Sequence, residues 1–153
     1  MTARMNPFAA APDLMGLLVR FGQAVVAEGL EPSLIELVKI RASQLNACAM
    51  CLEMHTAEAR RLGEEEKRLY MLDAWRESSL YSDRERAALG WTEALTRLGD
   101  HGPSDEDYAA VKNQFSDEEQ TRLTLLICVI NSFNRVGVGY RMSRSDAAQR
   151  QAA

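Results

Sequence analysis

Apolar side chains recur every three or four residues along most of this 153-residue chain. That spacing is the period of an α-helix with one buried face, and no segment alternates apolar and polar residues as a half-buried strand does. The pattern predicts seven helices, over about residues 12–28, 32–45, 48–62, 64–78, 82–98, 104–115 and 116–136. We therefore expect an all-α fold in which each helix packs one face against its neighbours.

Residues that begin or end helices lie at the boundaries of these runs. Two pairs have the spacing of a capping box, in which a serine and a glutamate satisfy each other's backbone amides: Ser82 with Glu85, and Ser116 with Glu119. Gly63 follows the third run, and glycine is the commonest residue just beyond a helix. By the same rule, Gly137 and Gly139 are predicted to end the last helix.

The last run is more apolar than the others. From Leu123 to Ile130 nearly every side chain is apolar apart from Thr124. Such a helix is typically buried all round, by the core of its own chain or by a subunit interface. Cys128, which lies within it, is therefore predicted to be buried as a small apolar residue.

Composition places the chain among single-domain globular proteins. With 46% apolar residues, residues 1–153 are expected to form one domain, with a core over about 12–140 and a polar, alanine-rich tail over 143–153. The net charge of -4 argues against nucleic-acid binding, which needs a basic surface.

No membrane-targeting signal is evident in the sequence. The opening residues MTARMNPFAAAP lack the apolar core of a signal peptide. The longest apolar run, Leu125 to Ile130, is far too short to span a bilayer. We therefore expect a soluble cytoplasmic protein without a membrane partner.

The candidate chemistry lies between Glu36 and His55, a stretch that holds two of the three cysteines and one of the two histidines. On a helix that begins near Cys48, the side chains of Cys48, Cys51 and His55 share one face, because they are three and four residues apart. A free thiol ionises only near pH ~8.5, so an imidazole one turn away favours the reactive thiolate. Amide dipoles at the helix start favour a thiolate at Cys48, so the spacing leaves open which thiol is more acidic.

Glu36 joins this set only if the chain reverses direction. On one continuous helix it would lie ~18 Å from Cys48 and on another face. Asn46 and Ala47 intervene, and asparagine favours helix ends over helix interiors. In an antiparallel helix pair that turns there, Glu36 comes nearly level with His55, where a carboxylate can accept the imidazole N–H and fix its tautomer.

This spacing resembles the active-site motif of the alkylhydroperoxidase D-like proteins, within the carboxymuconolactone decarboxylase family. The pattern is Glu36, eleven residues, Cys48-x-x-Cys51, three residues, His55. The flanking SQLNACAMCLEMH and the later INSFNR are also similar to that family, so the resemblance covers about residues 30–140. The best-known members carry a second histidine between the cysteines, where this chain has Met50.

The resemblance implies an oxidoreductase that reduces hydroperoxides, with alkyl hydroperoxide reductase activity and no metal or other cofactor. In the family scheme, His55, oriented by Glu36, deprotonates Cys51, which attacks the peroxide, and Cys48 then closes a disulfide. An external dithiol must reduce this bond, and family members use a dihydrolipoyl carrier. The family also implies a homo-oligomer, a trimer or hexamer, for which the apolar stretch near Leu126 is the predicted interface.

Other interpretations of the same motif remain open. A CxxC pair with a histidine also offers zinc ligands, with Glu36 as a fourth, although structural zinc sites usually bring a second such pair. A thioredoxin-like protein would need β-strands that the pattern does not predict. The chain could also be a carboxymuconolactone decarboxylase-like lyase, or a redox-sensing oligomer without catalytic activity.

Individual residues also have ordinary structural interpretations. Glu36 could be a solvated charge or a partner of Lys39 or Arg41 on its own helix. His101, in a loop with glycine and proline, is expected to be exposed rather than a ligand. Met50 and Met54 flank the motif and are predicted to line an apolar entrance to it.

Overall fold

The computed structural model describes residues 2–99 and 102–143 of the chain. Within these ranges there are eight α-helices: α1 Pro7–Ala10, α2 Pro12–Val26, α3 Pro32–Leu45, α4 Ala49–Arg61, α5 Glu66–Met71, α6 Asp83–Thr96, α7 Asp105–Gln114 and α8 Asp117–Tyr140. A 3-10 helix, Leu72–Glu77, continues from α5. The described residues contain no β-strand, and the predicted all-α class is confirmed.

Most predicted boundaries agree with the observed helices. Both predicted capping boxes form, and Ser104 makes a third one before α7. The short helix α1 was not predicted, because a single turn is too short to show an apolar period. It begins at Pro7, and the side chain of Asn6 accepts a hydrogen bond from the backbone N–H of Phe8.

The predicted end of the last helix is wrong. Helix α8 continues through Gly137 and Gly139 to Tyr140, and Arg141 closes it in the left-handed conformation with φ 54°. The backbone N–H of Met142 donates to the Gly137 carbonyl, as in a helix C-cap. Gly137 therefore has a packing role inside the helix, described with the site below.

Helices α3 and α8 form the centre of the fold. Helix α3 packs against α4, α6 and α8, while α8 also packs against α2. Leu37 and Val38 of α3 and Leu123 of α8 are completely inaccessible to solvent. Burying an aliphatic side chain of this size stabilises the fold by about 1.5–3 kcal/mol. Because its neighbours surround α3, even polar residues of this helix lie in the interior.

Helix α8 is long and apolar enough to cross a bilayer, by length and composition alone. However, 44% of its most apolar stretch is buried inside the chain. Leu126 and Ile127 are each only 1% exposed, because the neighbouring helices pack on them. We therefore assign α8 as the core helix of a folded helical domain.

Two apolar regions are more exposed than the sequence predicts. Cys128 is a free thiol on the exposed side of α8, so the prediction that it is buried is wrong for the single chain. Leu14, Leu17 and Phe21 are 62%, 56% and 44% exposed, although Leu14 and Phe21 belong to the apolar period that predicted α2. Helical period therefore located α2 correctly but did not show which side of it faces the core.

An ion pair between the buried Arg41 and the half-buried Glu93 anchors α3 to α6. Nε of Arg41 donates to Glu93 at 2.8 Å, and Nε1 of Trp75 donates to the same carboxylate at 2.7 Å. Burial would raise the pKa of Glu93, but hydrogen bonds from Trp75 and Arg76 and the charge of Arg41 outweigh it and lower the pKa. Arg41 is thus committed to Glu93 and to Asp73, and it does not pair with Glu36.

Candidate active site

The turn between α3 and α4 has the predicted position. Helix α3 ends at Leu45, Asn46 is its C-cap, and Cys48 is the N-cap of α4. Ala47, between them, has φ 52°, a left-handed conformation that alanine seldom adopts. The chain therefore reverses direction within three residues, and the first turn of α4 carries the CxxC pair.

An asparagine network holds this turn against α8. Nδ2 of Asn46 donates to Oδ1 of Asn131 at 2.9 Å and to Oδ1 of Asn134 at 3.0 Å. Asn134 is fully buried, and its own amide donates to the hydroxyl of Ser43 at 3.0 Å. A buried amide without partners would be costly, so this network favours one position of the turn. It gives a physical role to the INSFNR segment.

Cys48 and Cys51 are joined by a disulfide, with their Cα atoms 5.3 Å apart. The two residues are only 2% and 3% exposed. A Cβ on Gly137 of α8 would lie 3.1 Å from Sγ of Cys48 and 3.3 Å from Cε of Met50. Gly137 thus lets α8 approach the disulfide closely. The sequence predicts a helix end at Gly137. The apolar residues Val136 and Val138 on either side of it are the signal in the sequence that the helix continues.

Glu36 meets His55 as the turn predicts. Oε2 of Glu36 lies 2.8 Å from Nδ1 of His55, and Glu36 is only 4% exposed. Beside a carboxylate, Nδ1 carries the proton, so Nε2 is the ring nitrogen that can accept one. The pair therefore has the geometry of an oriented general base.

Lys39 is a further member of the site. Its Nζ lies 2.7 Å from Oε1 of Glu36, so the two carboxylate oxygens have different partners. Burial would raise the pKa of Glu36, but the hydrogen bond and charge of His55, with the charge of Lys39, outweigh it and lower the pKa. The two sequence interpretations of Glu36, as partner of His55 and of Lys39, are therefore both correct.

A cavity of about 560 Å³ opens beside Cys51, His55 and Lys39. We call it the Cys51 cavity. Most of its other lining residues are apolar side chains from α2, α4 and α8: Val19, Val26, Met50, Met54, Leu126, Val129, Ile130 and Phe133. The predicted position of Met50 and Met54 beside an apolar entrance is confirmed. Ligand cavities of this size and character accept small organic molecules.

The described residues offer no alternative metal centre. Within 2–99 and 102–143, no three His, Cys, Asp or Glu side chains are grouped so that they could hold a metal ion. The two thiols that a zinc site would need are bonded to each other. His101 lies outside the described residues.

The fold and the site together define an all-α protein with a CxxC disulfide beside a Glu–His pair. The model of the carboxymuconolactone decarboxylase family matches residues 12–94, which include all four of the predicted site residues. The chain belongs to the carboxymuconolactone decarboxylase family, and its fold is alkylhydroperoxidase D-like.

Individual relatives agree with this assignment. The uncharacterized protein YdfG of Bacillus subtilis is 37% identical over 138 residues, which cover 90% of this chain and 94% of YdfG. ATU0492 of Agrobacterium tumefaciens, of unknown function and provisionally described as an antioxidant defence protein AhpD, has a crystal structure that superimposes with a TM-score of 0.89. It is 37% identical, and the match covers 93% of this chain and 97% of that one.

A more distant structure limits what the fold alone can tell. The debrominase Bmp8 has a TM-score of 0.79 at 18% identity, with 94% of this chain and 78% of Bmp8 covered. At that identity the likeness shows a common fold. Because one fold can carry different reactions, the function has to be argued from the site.

Proposed function

We propose that this chain is a thiol-dependent peroxidase that reduces organic hydroperoxides. The observation that carries the proposal is the arrangement of one cavity wall. Cys51, which can bond to Cys48, lines the same cavity as His55, and a buried carboxylate holds the His55 ring at 2.8 Å. A nucleophile, a base and an orienting acid are the parts that thiol activation needs.

The reaction begins with both cysteines reduced. Nε2 of His55 takes the proton of Cys51, and the thiolate attacks one peroxide oxygen. The O–O bond breaks, the alkoxide takes the proton back from His55 and leaves as an alcohol, and Cys51 becomes a sulfenic acid. The Cys48 thiol then attacks the Cys51 sulfur, the S–O bond breaks, and the departing hydroxide takes the proton of the Cys48 thiol to form water. The product is the Cys48–Cys51 disulfide.

Glu36 and Lys39 support this step without touching the reacting atoms. Glu36 keeps the proton on Nδ1, so that Nε2 remains the basic nitrogen. Lys39 holds the other oxygen of Glu36 and thereby orients the carboxylate toward His55. The best-known relatives have a histidine at position 50, and with methionine there the Glu36–His55 pair is the base of this scheme.

The cavity lining favours an organic substrate over hydrogen peroxide. Methionine, valine, leucine, isoleucine and phenylalanine side chains cover much of the wall of the Cys51 cavity. Transfer of an alkyl group from water to such a wall contributes about 0.8 kcal/mol for each buried CH₂. We therefore expect alkyl hydroperoxides to react with a lower KM than hydrogen peroxide.

The family resemblance also supplies the remaining parts of the proposal. The reductant is an external dithiol, a dihydrolipoyl carrier, and the protein works in the cytoplasm as a homo-oligomer, a trimer or hexamer. Leu126, where the sequence predicts the interface, is buried within the single chain, so that prediction of the contact surface is wrong for Leu126 itself. The exposed apolar side chains of α2, Leu14, Leu17 and Phe21, would be covered in the assembly instead. Analytical ultracentrifugation tests the oligomer, and a monomer at micromolar concentration would contradict it.

The test of the activity is consumption of cumene hydroperoxide by the reduced protein, with dihydrolipoamide supplied as the dithiol. We expect turnover by the native chain and none by the Cys51→Ser variant. Cys128→Ser is the matched control, because that thiol is free and lies outside the cavity, and it should retain full activity. Turnover that persists in Cys51→Ser contradicts the proposal.

Two further measurements on the same variants distinguish the other candidate functions. A disulfide that forms and is reduced reversibly, without turnover of hydroperoxide, would indicate a redox sensor. Opening or decarboxylation of a carboxylated lactone by the Cys51→Ser variant would indicate a lyase. In either case the peroxidase assignment would fail.

A further inference from the structure

The two cysteines of the disulfide line two different cavities. The Cys51 cavity includes Cys51 and not Cys48. A second cavity, of about 480 Å³, includes Cys48 and not Cys51, and it lies between the start of α4 and the end of α8. We call it the Cys48 cavity. Each cysteine therefore lines a cavity that the other does not.

Met50 separates the two cavities. It is the one described residue that lines both of them, and it is only 5% exposed. Gly137 lines the Cys48 cavity, and a Cβ there would lie 3.1 Å from Sγ of Cys48, 3.3 Å from the Met50 methyl group and 3.7 Å from Sγ of Cys51. Of the two sulfurs, that of Cys48 is thus the nearer to this wall. Gly137 therefore packs directly against the Cys48 sulfur, and an added methyl group at this position would crowd that sulfur and narrow the Cys48 cavity.

We propose that the two cavities serve the two halves of the catalytic cycle. The hydroperoxide reacts with Cys51 in the Cys51 cavity, and the reducing thiol enters the Cys48 cavity and attacks Cys48. This inference rests on the proposed peroxidase function only for its first half. The second half concerns the reduction of a disulfide that is present in the structure.

The chemistry of exchange favours the same direction. The external thiolate bonds to Sγ of Cys48, the Cys48–Cys51 bond breaks, and its electron pair stays on Cys51. Exchange is faster when the leaving sulfur is the better stabilised thiolate. Cys51 shares its cavity with His55, whose imidazole can hold a proton against the thiolate, whereas none of the described residues that line the Cys48 cavity is a histidine.

The second thiol of the donor completes the reaction. As a thiolate it attacks the donor sulfur of the mixed disulfide, so that the donor leaves with an internal disulfide. The electron pair of the broken bond returns to Cys48, which takes a proton from water. The protein disulfide has then gained two electrons, and the Cys51 thiolate is already beside His55 for the next hydroperoxide.

The size of the Cys48 cavity indicates the kind of donor. A volume of about 480 Å³ fits a small dithiol or the tip of a flexible arm that carries one. A thiol built into the rigid surface of a folded protein would not reach a cysteine that is 2% exposed. We therefore assign the Cys48 cavity to a small or arm-borne dithiol.

Trapping the mixed disulfide tests which sulfur is attacked. The oxidised protein is mixed with excess 2-mercaptoethanol, quenched with N-ethylmaleimide and analysed by tandem mass spectrometry. We expect the mercaptoethanol adduct on Cys48 and the maleimide on Cys51. The reverse arrangement, or equal labelling of both sulfurs, overturns the assignment. Because no peroxide is used, this result does not depend on peroxidase activity.

A pair of glycine variants tests the route itself. In Gly137→Ala the added methyl group presses most closely on Cys48 Sγ, at 3.1 Å, and lies 3.7 Å from Cys51 Sγ. In Gly139→Ala it meets no atom of the described residues within 4 Å. Both variants make the same change in the same helix. We expect reduction of the disulfide by dihydrolipoamide to be roughly tenfold slower in Gly137→Ala than in Gly139→Ala, with a smaller effect on oxidation by hydroperoxide. Equal rates of reduction in the two variants, or a larger effect on oxidation, contradict the proposed route.

Discussion

Helix α3 carries two buried ionic groups that serve different purposes. On the side that faces α6, Arg41 pairs with Glu93, and it also contacts Asp73 and Gln44. These contacts tie side chains of the chain to one another. Toward α4, Glu36 meets His55 and Lys39, and both of these line a cavity. Similar chemical groups thus form a structural tie on one side and a candidate site on the other. The difference is that the partners of Glu36, His55 and Lys39, line the Cys51 cavity, where a ligand can reach them.

This comparison predicts that a substitution of Arg41 will lower the free energy of unfolding more than a substitution of Glu36. Arg41→Met leaves the half-buried Glu93 carboxylate with fewer partners and removes the tie between α3 and α6. Because Glu93 is partly exposed, we expect a loss of about 2 kcal/mol, between the costs of breaking exposed and fully buried ion pairs. Urea unfolding followed by circular dichroism measures this loss. A loss below about 1 kcal/mol, the range of exposed ion pairs, would show that the cluster is not structurally important.

A substitution of Glu36 should lower the activity more than a substitution in the Arg41 cluster. Glu36→Gln keeps the shape of the side chain but removes the charge that holds the proton on Nδ1 of His55. Positioned general bases contribute about 10²–10⁴-fold, so we expect the rate of Cys51 oxidation by hydroperoxide to fall about 10²-fold. Stopped-flow measurement with the reduced protein gives this rate. Glu93→Gln is the matched control in the other cluster and should change the rate little once the protein is folded.

Lowering the pH should reduce the stability of the fold through Glu36 in one cluster and Glu93 in the other. The pKa values of Glu36 and Glu93 both lie below the ordinary 4.5 in the folded chain. Each carboxylate therefore stabilises the fold above pH 4.5, and this stabilisation is lost as the pH falls through the lower folded pKa. The unfolding free energy of Glu36→Gln and of Glu93→Gln should each fall less steeply below pH 4.5 than that of the native chain. An unchanged slope in either variant would show that its carboxyl group does not contribute.

The smallest effect is expected at Lys39. Lys39→Met keeps the length and apolar stem but removes the ammonium from Oε1 of Glu36. Its side chain is 19% exposed, so water partly screens the pair, and we expect a loss of about 0.5–1 kcal/mol in stability. The rate of Cys51 oxidation should fall less than in Glu36→Gln. Lys39→Arg should restore part of it, and failure to do so would mean that charge is not what Lys39 supplies.

Most of the helices and the core of the site could be predicted from the sequence. Apolar period, capping boxes and a glycine stop are local signals, so they located seven of the helices and the turn at Asn46. The spacing of Cys48, Cys51 and His55 is also local, because helix geometry alone brings these side chains to one face. The contact between Glu36 and His55 also followed from the sequence, because the antiparallel turn was predicted at Asn46 and Ala47.

The errors concern the surroundings of helices and not their existence. Cys128 was predicted to be buried but is exposed, and Leu14 belongs to the apolar period of α2 but is also exposed. The spacing of apolar residues shows that a helix has an apolar face, but not which neighbours cover that face. Gly137 was read as a stop because its contact with Cys48 joins residues far apart in the chain. Lys39 could not be assigned to the site because its position beside the cavity depends on α2, α4 and α8.

By itself, the order of residues determined that the chain is helical, where it turns, and which thiols and imidazole share a helical face. These properties depend on contacts within a few residues, which helical geometry makes regular. Only the tertiary structure decided that Lys39 joins Glu36 beside the cavity while Arg41 faces Glu93, and that the two cysteines line separate cavities. Those outcomes depend on how helices pack, because a cavity is shaped by side chains that no local pattern relates to one another.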